Sequence, residues 1–207
     1  MAISAEAVRQ LREATGAGMM DCKKALTETN GDFEKAVVWL REKGMASAAK
    51  RSDRSANQGA VFSYIHMKGK YGVIAELNCE TDFVASTDDF QNLGRDICQH
   101  ICAAAPKYVR REEVPAADIE AEKSIYKAQA AESGKPEPIQ EKMALGKLDK
   151  WMAQVCLMEQ AYVKDPERSV EEIVKEVGGK LGEKVAVRRF VRFELGESIG
   201  TVSSEEN

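Results

Sequence analysis

Val61-Phe62-Ser63-Tyr64-Ile65-His66-Met67-Lys68-Gly69-Lys70-Tyr71-Gly72-Val73-Ile74-Ala75-Glu76-Leu77-Asn78-Cys79 is the stretch from which the fold class follows. Val61, Ile65 and Met67 alternate with Phe62, Tyr64 and His66. After Lys68-Gly69-Lys70, Val73, Ala75, Leu77 and Cys79 alternate with Ile74, Glu76 and Asn78. A period of two on both sides of a short Gly-containing turn predicts a β-hairpin. Downstream the period changes. Phe90, Leu93, Ile97 and Ile101 fall at i, i+3, i+7 and i+11, a helix capped near Thr87 or Asp88 and ended before Pro106. The longest strand pattern runs from Lys184 to Leu195. Val185, Val187, Val191, Phe193 and Leu195 are expected on one face, and Ala186, Arg188, Phe190, Arg192 and Glu194 on the other. Ser169-Val170-Glu171-Glu172 has the capping-box form and opens a helix through Ile173, Val174 and Val177. The fold class is α+β: an antiparallel three-stranded sheet covered by helices.

Upstream, residues 1–54 read as a bundle and linker. Ser4 caps a first helix with Val8, Leu11 and Thr15 on one face, broken by Gly16 and Gly18. A second runs from Met19 to Thr29, with Met19, Cys22 and Leu26 as its expected inner face and Asn30-Gly31 at its end. Asp32 caps a third, with Phe33, Ala36, Val37 and Leu40 in register and Gly44 as its expected stop. This is a three-helix bundle of the ubiquitin-associated type. Arg41 to Arg54 holds five basic and two acidic residues and reads as a helical linker, either solvated or touching RNA. The core is expected over 55–196. A mostly helical insertion over about 118–163 is interrupted at residues 134–138 and at Gly146, and its Leu148, Trp151 and Val155 form a packing stripe. Residues 197–207 are small and polar, a flexible tail.

The chain has 207 residues, 31% of them charged, and a net charge of -4, which disfavours a phosphate-backbone binder and predicts no direct nucleic-acid contact. No run of 18 apolar residues predicts a membrane span, and the first residues lack the form of a secretory signal. Cys22, Cys79, Cys98, Cys102 and Cys156 are odd in number and contain no C-x-x-C. They read as buried reduced thiols in a cytosol-like, reducing compartment. None of the four Gly-Lys pairs completes a phosphate loop, and His66 and His100 cannot make a metalloprotease motif. The residues offer no constellation for catalysis, and neither a metal nor a cofactor is expected.

Two places are not absorbed by core packing. Met20 and Lys23 lie together about 100° around the second helix from Met19. They read either as flanks of the core or as an interaction site, for which methionine is suited. Glu80-Thr81-Asp82-Phe83-Val84-Ala85 joins the second hairpin strand to the next helix. Phe83 lies outside the register of Phe90 and Ile97, so it is either tucked back onto the core or offered to a partner with the acid of Asp82 beside it.

Thr15-Gly16-Ala17-Gly18-Met19-Met20-Asp21-Cys22-Lys23-Lys24-Ala25-Leu26 and Asn78-Cys79-Glu80-Thr81-Asp82-Phe83-Val84-Ala85 closely resemble the two signatures of the elongation factor Ts family. Leu181-Gly182-Glu183-Lys184, followed by Val187-Arg188-Arg189-Phe190, resembles its C-terminal signature, so the likeness spans about residues 1–196. The resemblance implies a translation elongation factor and guanine-nucleotide exchange factor without catalytic chemistry of its own. Such a protein binds the GDP form of the GTPase elongation factor Tu and promotes GDP release. It implies partner contacts at Leu11, Met19, Met20 and Lys23 on the bundle, and a further contact at Leu181 and Gly182 near the partner's phosphate loop. Thr81, Asp82, Phe83 and Val84 correspond to the element that dislodges Mg²⁺, with Asp82 and Phe83 intruding between partner helices. Longer members have two core subdomains, whereas one core sheet is visible here, as in the short members from some bacteria and plastids, so the resemblance implies a cytoplasmic location, bacterial cytosol or plastid stroma. Some short members carry a Cys in the last strand where this chain has Val191, so no disulfide forms there.

The sheet itself carries large apolar groups on both faces. Val61, Ile65, Val73, Leu77, Val187 and Val191 are expected on one, and Phe62, Tyr64, Ile74 and Phe190 on the other. Helices 87–105 and 169–178 on one side would leave the second face open. A homodimer through that face, giving a 2:2 complex, would cover it and replace the missing subdomain. The other arrangement has residues 118–163 folding back over it. Two further functional classes remain at this point: a ubiquitin-associated-type adaptor and an RNA-binding translation accessory protein.

Overall fold

The computed structural model describes residues 3–197, the side chains of residues 48 and 49 apart. Ser4 accepts from the Ala7 N–H and opens α1 (Ala5–Thr15), which Gly16 ends in the left-handed region. α2 (Met19–Glu28) and α3 (Phe33–Ala49) complete the bundle. Its core is Val8, Leu11, Cys22, Ala25, Leu26, Ala36 and Leu40. Met19 is 55% exposed, so the inner face of α2 is Cys22, Ala25 and Leu26 instead. Gly44 does not stop α3, which runs through it. A Cβ on Gly179 would sit 3.1 Å from the Gly44 Cα and carbonyl oxygen, so the pair lets α3 approach the later helix α8 (Val170–Leu181) closely.

β1 (Gln58–His66) and β2 (Tyr71–Cys79) form the antiparallel hairpin, and β5 (Ala186–Glu194) pairs with β2. α4 (Asp82–Ala85) and α5 (Asp88–Ala104) follow β2, α8 leads into β5, and α5 and α8 pack on the inner face of the sheet. Phe62 of β1 meets Phe90 of α5 with ring centroids 5.9 Å apart. Val73, Ala75, Leu77 and Cys79 point inward from β2. α8 opens with the capping box Ser169–Glu172 and ends at Gly182, φ 77°.

Two expectations need correction here. The register of β5 slips between Glu76 and Leu77. Glu76 pairs with Arg189 but Leu77 with Val187, leaving Arg188 as an extra residue. Such a bulge inverts the alternation. Val187 and Phe190 therefore both face the core, while Val191 and Phe193 point outward. Independently of the bulge, the hairpin register sets Phe62 opposite Ala75 and Tyr64 opposite Val73, so Phe62 and Tyr64, not Val61 and Ile65, share the inner face with Val73 and Leu77, and Ile74 lies with Val61 and Ile65 on the outer face. Secondly, the helical insertion runs unbroken through Gly146 and ends at Val155. α6 (Ala116–Ala131) and α7 (Glu137–Val155) pack as a hairpin on a small cluster of Val114, Met152, Val155 and Cys156. A short hairpin of β3 (Ala161–Tyr162) and β4 (Asp165–Ser169) then leads into α8. The α6–α7 hairpin leaves the outer sheet face open: Val61, Ile65 and Phe193 are each more than 60% exposed. The five thiols are free and buried, and the proposed tail, beyond Glu197, lies outside the described residues.

The fully buried His100 fixes the short hairpin to α5. The Val163 N–H donates to its Nδ1 at 3.2 Å, so the ring proton sits on Nε2, 2.9 Å from the Gln160 Oε1. Protonating Nδ1 would set donor against donor, and burial pushes the His100 pKa down. The unfolded chain therefore takes up the proton first, below about pH 6.5. Stability should fall as pH drops from 7 to 5, before the carboxylates titrate. Urea midpoints at those two pH values check this, and a midpoint that rises toward pH 5 would contradict it.

Candidate partner-binding surfaces

β2 ends at Cys79, and the chain turns at Glu80-Thr81 into α4, a helix of four residues. Thr81 caps it, its Oγ1 accepting the Val84 N–H at 3.3 Å. The turn is braced on every side. Ser86 Oγ donates to the Asp82 carbonyl, Thr87 Oγ1 to the Val84 carbonyl, and Gln91 Nε2 to the Ala85 carbonyl at 2.8 Å. From this turn Phe83 and Val84 diverge. Val84 is buried in the core, whereas Phe83 is 82% exposed. Phe83 is thus presented to solvent beside the exposed Asp82, which makes no ion pair among the described residues. Val84, which the resemblance places with the displacing element, is the buried anchor of the turn. Thr81 is its cap.

On the bundle, Met20 is 77% exposed and Lys23 is exposed without an ion pair among the described residues. With Met19 they form an exposed patch at the start of α2. Leu11 is fully buried in the bundle core. It holds α1 against α2, so a direct contact through Leu11 does not fit this conformation. Leu181 is half-buried against the main core, and Gly182 is the exposed left-handed cap of α8.

The bundle is tied to the wedge side of the core. Lys180 of α8 makes a 2.8 Å ion pair with Asp89 in the first turn of α5. Its side chain also passes so close to Gly16 that a Cβ there would lie 2.1 Å from the Lys180 Cε. Arg41 reaches Glu172 at 3.5 Å, Lys43 pairs with Asp21, and Arg54 reaches Glu80 at 3.3 Å. These cations of the basic linker are engaged within the protein, which weakens the RNA reading.

Sequence reasoning missed the group that holds the turn in place. Glu183 Oε2 accepts the N–H groups of Glu80 and Thr81, both at 3.0 Å, and Glu183 Oε1 accepts the Thr81 hydroxyl at 2.6 Å. These partners stand 102 and 103 residues apart in the chain, so no local periodicity could have linked them. The co-occurrence of Glu80 and Glu183 in two separate signatures was the available signal.

A rigid turn offering an aromatic and an acid, with a second Met-and-Lys patch on a bundle tied to it, defines a protein that presents contact surfaces. Residues 3–197 match the family model described as "Elongation factor TS". The chain is 55% identical over 203 residues to the elongation factor Ts of Thermoanaerobacter sp. (strain X514), covering 98% of this chain and 100% of that protein. It is 56% identical over 205 residues to that of Geobacter sulfurreducens, covering 99% and 95%, and 56% identical over 197 residues to that of Desulforamulus reducens, covering 95% and 91%. The chain belongs to the elongation factor Ts family and is a translation elongation factor. No helix among the described residues is long and apolar enough to cross a membrane.

Proposed function

We propose that the chain is a guanine-nucleotide exchange factor that binds elongation factor Tu in its GDP form, displaces Mg²⁺ from the partner and promotes GDP release, doing no chemistry itself. The observation that carries this is Phe83, 82% exposed on a turn capped and braced by its neighbours. One exposed apolar side chain is ordinary in itself, but a ring already ordered on a capped turn gives up little further freedom when a partner buries it, which suits it to act as a binding anchor. Residues 1–54 serve as the docking bundle through Met19, Met20 and Lys23. Residues 55–196 form the core that carries the wedge and the Leu181–Gly182 contact and that dimerises through its open sheet face. The reading places the protein in the cytoplasm and requires no direct nucleic-acid or membrane contact.

The energetics are simple. GDP leaves such GTPases slowly because Mg²⁺ and the phosphate loop hold its diphosphate. A protein that binds the nucleotide-free form more tightly must weaken GDP by the same factor. Accelerating release about a thousandfold lowers the dissociation barrier by about 4 kcal/mol, within reach of a buried aromatic and a few polar contacts.

Release of a fluorescent GDP analogue from elongation factor Tu, with and without the chain, tests the reading. Unchanged release sinks it. In the same assay Met20→Ala and Lys23→Ala should raise the half-saturating concentration about tenfold while the melting temperature stays put, because neither side chain is buried. Equal affinity by calorimetry would show that the docking patch lies elsewhere.

A further inference from the structure

We propose that Glu183 is a positioning residue for the Asp82–Phe83 wedge, forming with Glu80 a two-carboxylate clamp across the end of β2. The inference rests on the exchange reading. It follows from what a four-residue helix cannot do alone. α4 is too short to hold its own direction, since helix nucleation is costly and a single turn gains few hydrogen bonds. Its aim is set by the peptides that enter it. Those are Glu80 and Thr81, where β2 leaves the sheet and the chain N–H groups have no ladder partner.

Glu183 supplies that partner. One carboxylate oxygen takes both N–H groups, and the other takes the Thr81 hydroxyl. Bonds from N–H to an ionised carboxylate are stronger and more directional than neutral ones. The Thr81 oxygen is thereby engaged twice, donating to Glu183 at 2.6 Å and accepting from the Val84 N–H at 3.3 Å. This fixes the side-chain rotamer of Thr81, and with it the first turn that carries Phe83.

The clamp is reciprocal. Glu80 Oε1 accepts the Lys184 N–H at 2.6 Å, so each carboxylate grips the backbone beside the other. Lys184 Nζ then donates to the carbonyls of Ser52 and Arg54, at 2.5 and 2.8 Å, and the Arg54 guanidinium returns to Glu80. That N–H and the guanidinium hold the Glu80 carboxyl below its ordinary range. The linker, the wedge turn and the turn after α8 are thus one hydrogen-bonded unit. Gly182 caps α8 immediately before Glu183. The two signature segments therefore reach a partner in a fixed relation, and Phe83 keeps its aim.

The test uses the full chain with Glu183→Ala, Glu183→Gln, Thr81→Val, Phe83→Ala and the Phe83→Ala/Glu183→Ala pair. Glu183→Ala should lower GDP release at saturating exchange factor by about tenfold or more, as misplacement of a working group does. The half-saturating concentration should move less than about threefold, because the bundle patch is untouched. Hydrogen exchange at the Glu80 and Thr81 amides should quicken by at least about tenfold as their acceptor is lost. Glu183→Gln keeps a carbonyl oxygen for those amides and should restore most of the rate. The double variant should be no slower than Phe83→Ala alone, since a misaimed alanine has nothing left to lose.

Glu183→Ala releasing GDP at the wild-type saturating rate would overturn the proposal, as would a double variant whose loss is the product of the two single losses. If Glu183→Ala fails to fold, Thr81→Val and Glu183→Gln carry the same comparison: a lowered saturating rate at unchanged half-saturation for Thr81→Val supports the clamp, and a wild-type rate overturns it. If the unmodified chain itself does not speed GDP release, the exchange reading fails. The clamp is then decided by the amides alone, which stand if they quicken in Glu183→Ala and fall if they do not.

Discussion

With Phe83 replaced by alanine, GDP release from elongation factor Tu at a fixed concentration of the chain is expected to slow by about 30-fold or more, with little change in melting temperature. The size follows from truncating an aromatic hot spot, typically about 2 kcal/mol, at about 1.4 kcal/mol per factor of ten. The unchanged stability follows from exposure: a ring 82% in solvent contributes little to the folded state. Val84→Ala provides the contrast, since Val84 is buried and anchors the turn, so its loss should appear in the unfolding midpoint. Stopped-flow release at the wild-type rate for Phe83→Ala would remove the wedge from the mechanism. A large drop in melting temperature would mean that the ring packs on its own core in solution.

Val191→Asp is expected to convert a dimer of about twice 22.8 kDa into a monomer. Val191 pairs with Ile74 at the centre of the open face, flanked by Val61, Ile65 and Phe193. Two copies of this face can pack as an aligned, two-fold β-sandwich. A carboxylate at its centre would be desolvated without a partner, a cost large enough to split most interfaces of this kind. In the monomer the same carboxylate would stand in water, so folding should survive. Phe190→Asp, to which simple alternation pointed, is a different experiment. Phe190 is half-buried against the inner core, so a charge there should lower stability and would not report on the open face. Sedimentation equilibrium at micromolar concentration separates the outcomes. A wild-type species at 22.8 kDa would rule out the sheet-mediated dimer.

The contrast between Val191 and Phe190 shows where the sequence was legible. The hairpin of β1 and β2 follows from strict alternation, although which faces of the two strands lie together depends on the register across the turn, which sets Phe62 rather than Val61 beside Val73, and α5 and α8 follow from their apolar spacing and caps. These signals are local, and local propensity agrees with the packing. The bulge at Arg188 left no such trace, because one extra residue is defined only by the partner strand. Gly44 looked like a stop because glycine weakens helices. It is retained inside α3 because Gly179 faces it, a contact that no single segment reveals. The candidate site divides the same way. Phe83 could be singled out because it broke the register of α5, but its exposure required the structure. Leu11 and Val84 came with the resemblance and turn out to be buried supports. Glu183 was visible as a residue and invisible as a partner, since its bonds span more than a hundred positions.

The five buried thiols make the chain convenient for site-specific chemistry. Burial pushes Cys98 and Cys156 up to about 11 and raises Cys22 and Cys79 as well. Only the thiolate attacks a maleimide. At pH 7, a thiol with a pKa near 11 is ionised in only about one molecule in ten thousand, and its sulfur is also shielded by packing. A cysteine introduced on the surface, at Asp88 in the first turn of α5 or at Lys24 beside the bundle patch, would therefore react ahead of the native five. Fluorophores could be placed at both contact surfaces without first deleting a single native sulfur, and the distance between them could be followed as a partner engages each.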